Sequence, residues 1–159
     1  MGMIIYLQRA TPDELAQLKA SPDRWDEFEF KHSEDVVDFD KSWHALHFML
    51  TGEAEGTGNP LGIIVEDGEE FGVGSHGNVT WISPERMRAF NAALRALDDD
   101  TLASRYDPAA MVAQDIYLAD MFANEGQGAL DYVLESVPVL RKLAASCASA
   151  RDGVIRVLC

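Results

Sequence analysis

Asp38-Phe39-Asp40-Lys41-Ser42-Trp43-His44-Ala45-Leu46-His47-Phe48-Met49-Leu50-Thr51-Gly52 joins two acids, a tryptophan and two of the chain's four histidines in one short segment. It reads as a helix over 41–51, with Asp40 as N-cap and Gly52 as the C-terminal stop. Most of its apolar residues are suited to a core. Such a helix needs a second layer to bury it, and the flanking segments supply one.

On the N-terminal side, residues 3–9 (MIIYLQR) are β-branched and aromatic and read as a strand. Thr11, Pro12 and Glu14 then form a capping box with proline at the first helical position. Leu15 and Leu18 give that helix its apolar stripe. Ser21-Pro22 repeats the start signal, with Trp25 and Phe28 on one face. The acidic stretch from His32 to Asp38 reads as irregular.

On the C-terminal side, 53–60 is a polar loop and 61–65 (LGIIV) a short strand or buried turn. Residues 66–78 read as an acidic, glycine-rich loop, and Val79-Thr80-Trp81-Ile82 as a strand. Ser83-Pro84-Glu85 opens an amphipathic helix with Met87, Phe90, Leu94 and Leu97 inward. Asp98-Asp99-Asp100 ends it, a short helix follows from Thr101, and Asp107-Pro108 caps another. A last helical stretch covers 126–151, which Pro138 should kink or split. Residues 153–158 (GVIRVL) are a final strand. The terminal strands have each other and the middle strands as partners. The expected fold is therefore α+β: a small mixed or antiparallel sheet packed with several helices, in one domain over 1–159.

The chain has 159 residues, 47% of them apolar and 9% aromatic. That size buries about 70% of the unfolded surface, enough to fold without disulfide or metal. Thirteen basic residues against 27 acidic ones give a net charge of −14. Such a surface repels nucleic-acid phosphates and anionic membranes, and it favours solubility and cationic partners. Cys147 and Cys159 make no disulfide framework, which fits a reduced cytoplasmic setting. The start, MGMIIYLQRA, lacks the basic region and apolar run of a signal peptide. No apolar run is long enough for a transmembrane helix.

On the helix 41–51, Asp40, His44 and His47 fall at i, i+4 and i+7, on one side. Imidazoles with a carboxylate suit a divalent metal or an acid–base pair near neutral pH. Trp43 beside them would shape a pocket, and His76 would be a further donor. Yet HxxH without the glutamate of HExxH is a weak metal signal. The structural alternative is stronger: Asp40 caps the helix, and a histidine packed beside Trp43 satisfies a buried carbonyl. No cofactor is expected.

Gly72-Val73-Gly74-Ser75-His76-Gly77 matches GxGxxG, but a strand rather than a helix follows it. No Lys or Arg occurs from Thr51 to Pro84, where a phosphate cradle would need positive potential. Dinucleotide binding is excluded on those grounds. The acids Glu53, Glu55, Glu66, Asp67, Glu69 and Glu70 form a surface suited to a basic protein. They lack the alternating oxygen ligands of an EF-hand. Cys147 reads as a small core residue and Cys159 as an exposed thiol.

Several blocks carry a resemblance along nearly the whole chain. They are Met1-Gly2-Met3, the DKSWHALHFMLTG block at 40–52, Phe71-Gly72-Val73-Gly74 and Trp81-Ile82-Ser83-Pro84-Glu85. Tyr106-Asp107-Pro108-Ala109-Ala110-Met111 and Asp115-Ile116-Tyr117 complete the set. The chain resembles the DUF1877 (YfbM-like) family, most specifically through DKSWHALH. Family members tend to have proline where Leu118 stands, a departure that bears on the local turn. The resemblance implies a compact α+β bacterial protein without an established activity. It also suggests a setting near secreted toxins, where small acidic proteins act as immunity factors. The expected function is thus a non-catalytic, cytoplasmic protein-binding module, an immunity protein being the leading form. The alternative is a metal-binding or hydrolase-like protein using Asp40, His44 and His47.

Overall fold

Ile5–Ala10 forms β1, and strands follow at Val36–Asp38 (β2), Glu69–Gly74 (β3), Gly77–Ile82 (β4) and Gly153–Leu158 (β5). In the computed structural model they make one sheet in the order β2-β1-β5-β4-β3. Every pairing in it is antiparallel. The structure describes residues 2–31, 36–56, 58–65, 69–74 and 77–159, with the backbone alone over 69–74 and at Gly77. The helices are Pro12–Ala20 (α1), Trp25–Phe28 (α2), Trp43–Thr51 (α3), Pro84–Arg95 (α4) and Asp99–Ser104 (α5). They continue with Pro108–Ala113 (α6), Ala119–Glu125 (α7), Gln127–Leu134 (α8) and Val137–Ala150 (α9). The fold is α+β, with both terminal strands paired to each other.

Period-two alternation sorts the sheet into two faces. Ile5, Leu7, Val37, Ile82 and Val154 join the larger core with α3, α4, α8 and α9. Tyr6, Ala10, Val79, Ile155 and Val157 join a smaller one under Leu15, Leu18, Trp25 and Phe28. The central strand β5 is covered on both sides, which explains its run of five buried residues. Gly153 opens it where nothing larger fits. A Cβ there would sit 2.4 Å from the Ile82 carbonyl oxygen and 2.9 Å from Leu15. Arg156 is buried and donates from Nε to the Ile64 carbonyl at 2.6 Å, which fixes residues 61–65 as a buried turn.

The cap signatures hold where they are local. Thr11 and Glu14 complete the capping box, and Ser83 and Asp107 each accept a first-turn N–H. Asp98, expected to end a helix, instead caps α5, which starts at Asp99 rather than Thr101. Three expectations need correction. Asp40 does not cap a helix: it opens a 3-10 turn, Asp40–Ser42, with φ +48°, and α3 begins only at Trp43. The supposed loop 66–78 contains β3 and the start of β4, paired from Glu69↔Trp81 to Gly74↔Gly77. Ladder bonds to β4 satisfy this backbone despite its glycines; positions 66–68 and 75–76 lie outside the described residues. The end of the acidic stretch 32–38 is β2, because Val37 pairs with Leu7 and is buried. The last helical stretch divides at Glu135 and Ser136, as expected beside Pro138, which lies in the first turn of α9; α7, which the sequence reading did not include, precedes it. Gly52 ends α3 in the left-handed conformation, as expected.

Candidate functional site

Helix α3 is buried along almost its whole length, so its two histidines must be satisfied from within. His44 lies flat against Trp43, with ring centroids 4.8 Å apart and planes 10° from parallel. Trp43 also stacks on Tyr117, 5.5 Å away. His44 Nε2 donates to the Ala54 carbonyl at 2.7 Å, and Nδ1 accepts the Tyr117 N–H at 2.9 Å. This pair of bonds selects the neutral Nε2–H tautomer, since a doubly protonated ring cannot accept from Tyr117. Burial accordingly lowers the pKa of His44, against an opposing pull from the Ala54 carbonyl.

His47 is fully buried, at 0% exposure. Its Nε2 lies 3.2 Å from the Glu55 carbonyl and 3.4 Å from Thr51 Oγ1, while Nδ1 has no partner among the described residues. Burial is the main cause of its lowered pKa, with the Glu55 carbonyl opposing. Its ring is 6.3 Å from that of His44.

Both rings therefore hold one loop. Thr51 completes the arrangement: its hydroxyl accepts the Glu53 N–H at 3.1 Å. Residues 53–55 are latched through their backbone, while the side chains of Glu53 and Glu55 are exposed. The sequence expectation of a histidine beside Trp43 serving a buried carbonyl describes His44 as it stands.

The supposed convergence of Asp40 with these rings does not occur. The 3-10 turn displaces Asp40 from the helical register, and its carboxylate accepts the Tyr132 hydroxyl at 2.5 Å. Tyr132 in turn accepts the Lys41 N–H at 3.2 Å. Burial and the neighbouring Asp40 push the Tyr132 pKa up to about 12, so the phenol stays protonated and donating. Among the described residues, no group of three His, Cys, Asp or Glu is placed to hold a metal ion. His76, Glu66 and Asp67 lie outside the described residues; Glu69 and Glu70 are placed by backbone only, in β3. Cys147 is buried and Cys159 exposed, as expected.

Sequence reasoning missed Tyr117, Tyr132 and Thr51. Tyr117 does more than meet His44: its hydroxyl accepts the Met3 N–H at 3.0 Å, while Trp43 Nε1 donates to the Met3 carbonyl at 3.0 Å. Trp43, His44 and Tyr117 thus tie α3 to the chain ahead of β1 and to the segment ahead of α7. In that segment Leu118 adopts φ +62°. Proline, confined near −65°, cannot take that conformation.

Comparison with known proteins adds a fold and a family. The family model described as "Domain of unknown function (DUF1877)" matches residues 1–157. No curated protein matches the chain. Among solved structures, the crystal structure of YfbM from Escherichia coli, a protein of unknown function, superposes with a TM-score of 0.68. It shares 20% identity over 98% of this chain and 99% of that one, a likeness that establishes the fold alone.

Proposed function

This chain belongs to the DUF1877 family, and we propose that it is a non-catalytic protein-binding module whose acidic surface receives a cationic partner. The observation that carries this reading is the latched loop. His44 and His47, the side chains best suited to chemistry, are engaged with the carbonyls of Ala54 and Glu55. Their work is to fix a loop whose carboxylates, Glu53 and Glu55, face solvent. Fixing a binding loop beforehand lowers the ordering cost of association. A net charge of −14 speeds encounter with a basic partner and sets partner choice more than raw affinity.

An immunity protein neutralising a toxin is the form of such a module that best suits this chemistry. The test is co-expression with a basic toxin domain encoded beside the chain. Protection by the wild type, lost on Glu53→Lys with Glu55→Lys, is the expected result. Absence of a complex between purified proteins, together with absence of protection, would overturn the reading. No helix in the described residues is long and apolar enough to cross a membrane.

A further inference from the structure

His44 meets backbone on both sides of its ring. Nε2 donates to Ala54 in the loop after α3, and Nδ1 accepts the Tyr117 N–H from the segment between α6 and α7. A second proton acts on these two bonds in opposite ways. An imidazolium has two N–H groups and no free lone pair. The Ala54 carbonyl gains a charged donor, while the Tyr117 N–H loses its acceptor and faces another N–H. Trp43 adds to the asymmetry. Its ring lies 4.8 Å from that of His44, within cation–π range, so the indole holds the charged ring in place. The cost of protonation therefore falls on the Tyr117 side.

That side has a fixed point and a strained frame. Ile116 is buried, and its N–H donates to the Met111 carbonyl at 3.0 Å. Asp115 and Leu118 flank Ile116 and Tyr117 with φ of +54° and +62°, conformations that cost a non-glycine residue free energy unless its surroundings enforce them. Tyr117 is held from outside this segment by its N–H on His44, its ring on Trp43 and its hydroxyl on the Met3 N–H. The other titratable and charged groups around His44 come from each neighbouring element. They are His47 on α3, Glu53 and Glu55 in the loop after it, and Asp115 two positions before Tyr117. Lys41 completes them, its side chain lying, like the Tyr117 hydroxyl, beside Gly2. Glu53 favours a proton on His47, but that ring is fully buried, and a charge on either histidine opposes one on the other. His44 is half-buried and is the ring that water reaches.

We propose that His44 is an acid-operated switch, whose protonation swings Tyr117 off Trp43 about the fixed Ile116 while the loop at Glu53 and Glu55 stays latched. The closed form has no place for a proton on Nδ1. The open form, with Nδ1 facing water, accepts it, so falling pH draws the population to the open form. Burial of the closed ring acts in the same sense, lowering its pKa. Opening uncovers the indole face of Trp43 and releases the Met3 N–H, while Trp43 Nε1 keeps the Met3 carbonyl. Met3 is already exposed, so the acid form presents an apolar patch that the neutral form covers. Such a switch goes beyond the binding-module reading and stands whether or not the acidic surface receives a basic partner.

The test is NMR on the full chain from about pH 8 to about pH 5, the range in which histidine changes charge. At the upper end the His44 ring nitrogens should report the Nε2–H tautomer, and the Tyr117 amide should exchange slowly. As His44 titrates, below the ordinary histidine value, Tyr117 exchange should quicken at least about tenfold relative to its intrinsic rate at each pH. The Glu53 amide, bonded to Thr51, and the amides of β5 should keep their protection. His44→Gln, whose side-chain amide donates to Ala54 and accepts from Tyr117 at every pH, should abolish the response, and His47→Gln should keep it. Tyr117 protection that ignores pH, or falls together with that of Glu53 or β5, would overturn the switch. A response that survives in His44→Gln or vanishes in His47→Gln would do the same. So would a neutral His44 with its proton on Nδ1, an outcome read in the wild type without any variant.

Discussion

Helix α3 and the cleft of 230 Å³ between β2 and the α8–α9 junction both carry titratable rings, the histidines in one and Tyr132 in the other, in opposite surroundings. In α3 three of the four histidine ring nitrogens are engaged, and the remaining one is sealed in the core. In the cleft Asp38, Asp40, Glu135 and Tyr132 line an open volume, with no cationic side chain among the described residues that line it. Asp40 and His44 are four positions apart, yet the 3-10 turn sends one to each region. Residue type alone does not mark a site; the remaining hydrogen-bonding capacity does.

The largest expected effect tests whether α3 is truly closed. His47→Ala should destabilise the protein by about 2–4 kcal/mol, because it leaves a cavity and orphans the Glu55 carbonyl. Chemical denaturation measures it, and a loss below about 1 kcal/mol would mean that the histidine is spare and free for another role.

The second effect is a pH dependence confined to α3. Both histidines have folded-state pKa values lowered by burial, so the unfolded chain takes up protons that the native chain refuses. Their contribution is complete above the unfolded value of about 6.5 and is lost as pH falls from there toward the depressed values. The slope is at most ~1.4 kcal/mol per pH unit for each histidine, with stability rising with pH. Melting curves across this window should flatten in His44→Gln with His47→Gln. An unchanged slope would assign the effect to other groups.

The smallest effect belongs to the cleft. Asp38→Asn with Glu135→Gln should alter stability by no more than about 0.5 kcal/mol, since both are exposed surface positions. A large loss would make the cleft a structural element, and would erase the contrast with α3.

The parts of the fold legible in the sequence were those written in short-range chemistry. Thr11 with Glu14, Ser83, Asp107 and Gly52 each act within one helical turn, and each was read correctly. β3 was hidden because Gly72 and Gly74 with Glu69 and Glu70 look like a loop until β4 supplies ladder bonds. α7 was hidden because its N-cap position is Leu118, which offers no side-chain acceptor. At the site, the pairing of His44 with Trp43 was legible because the two are adjacent. Assuming a continuous helix from Asp40 produced the false triad. The cleft left no local trace: Asp40 meets Tyr132, 92 positions later, only in the folded chain.

The place of β5 in the sheet has a consequence for synthesis on the ribosome. The strand at the middle of the sheet is the last of the five to be translated, and β1 and β4 must wait for it. The 143 positions separating Arg9 from its partner Asp152 occupy roughly 7–30 s at translation rates of ~5–20 residues per second. For that interval the nascent β1 lacks the strand that fills its β5-side edge, and an unpaired strand edge is open to wrong pairing.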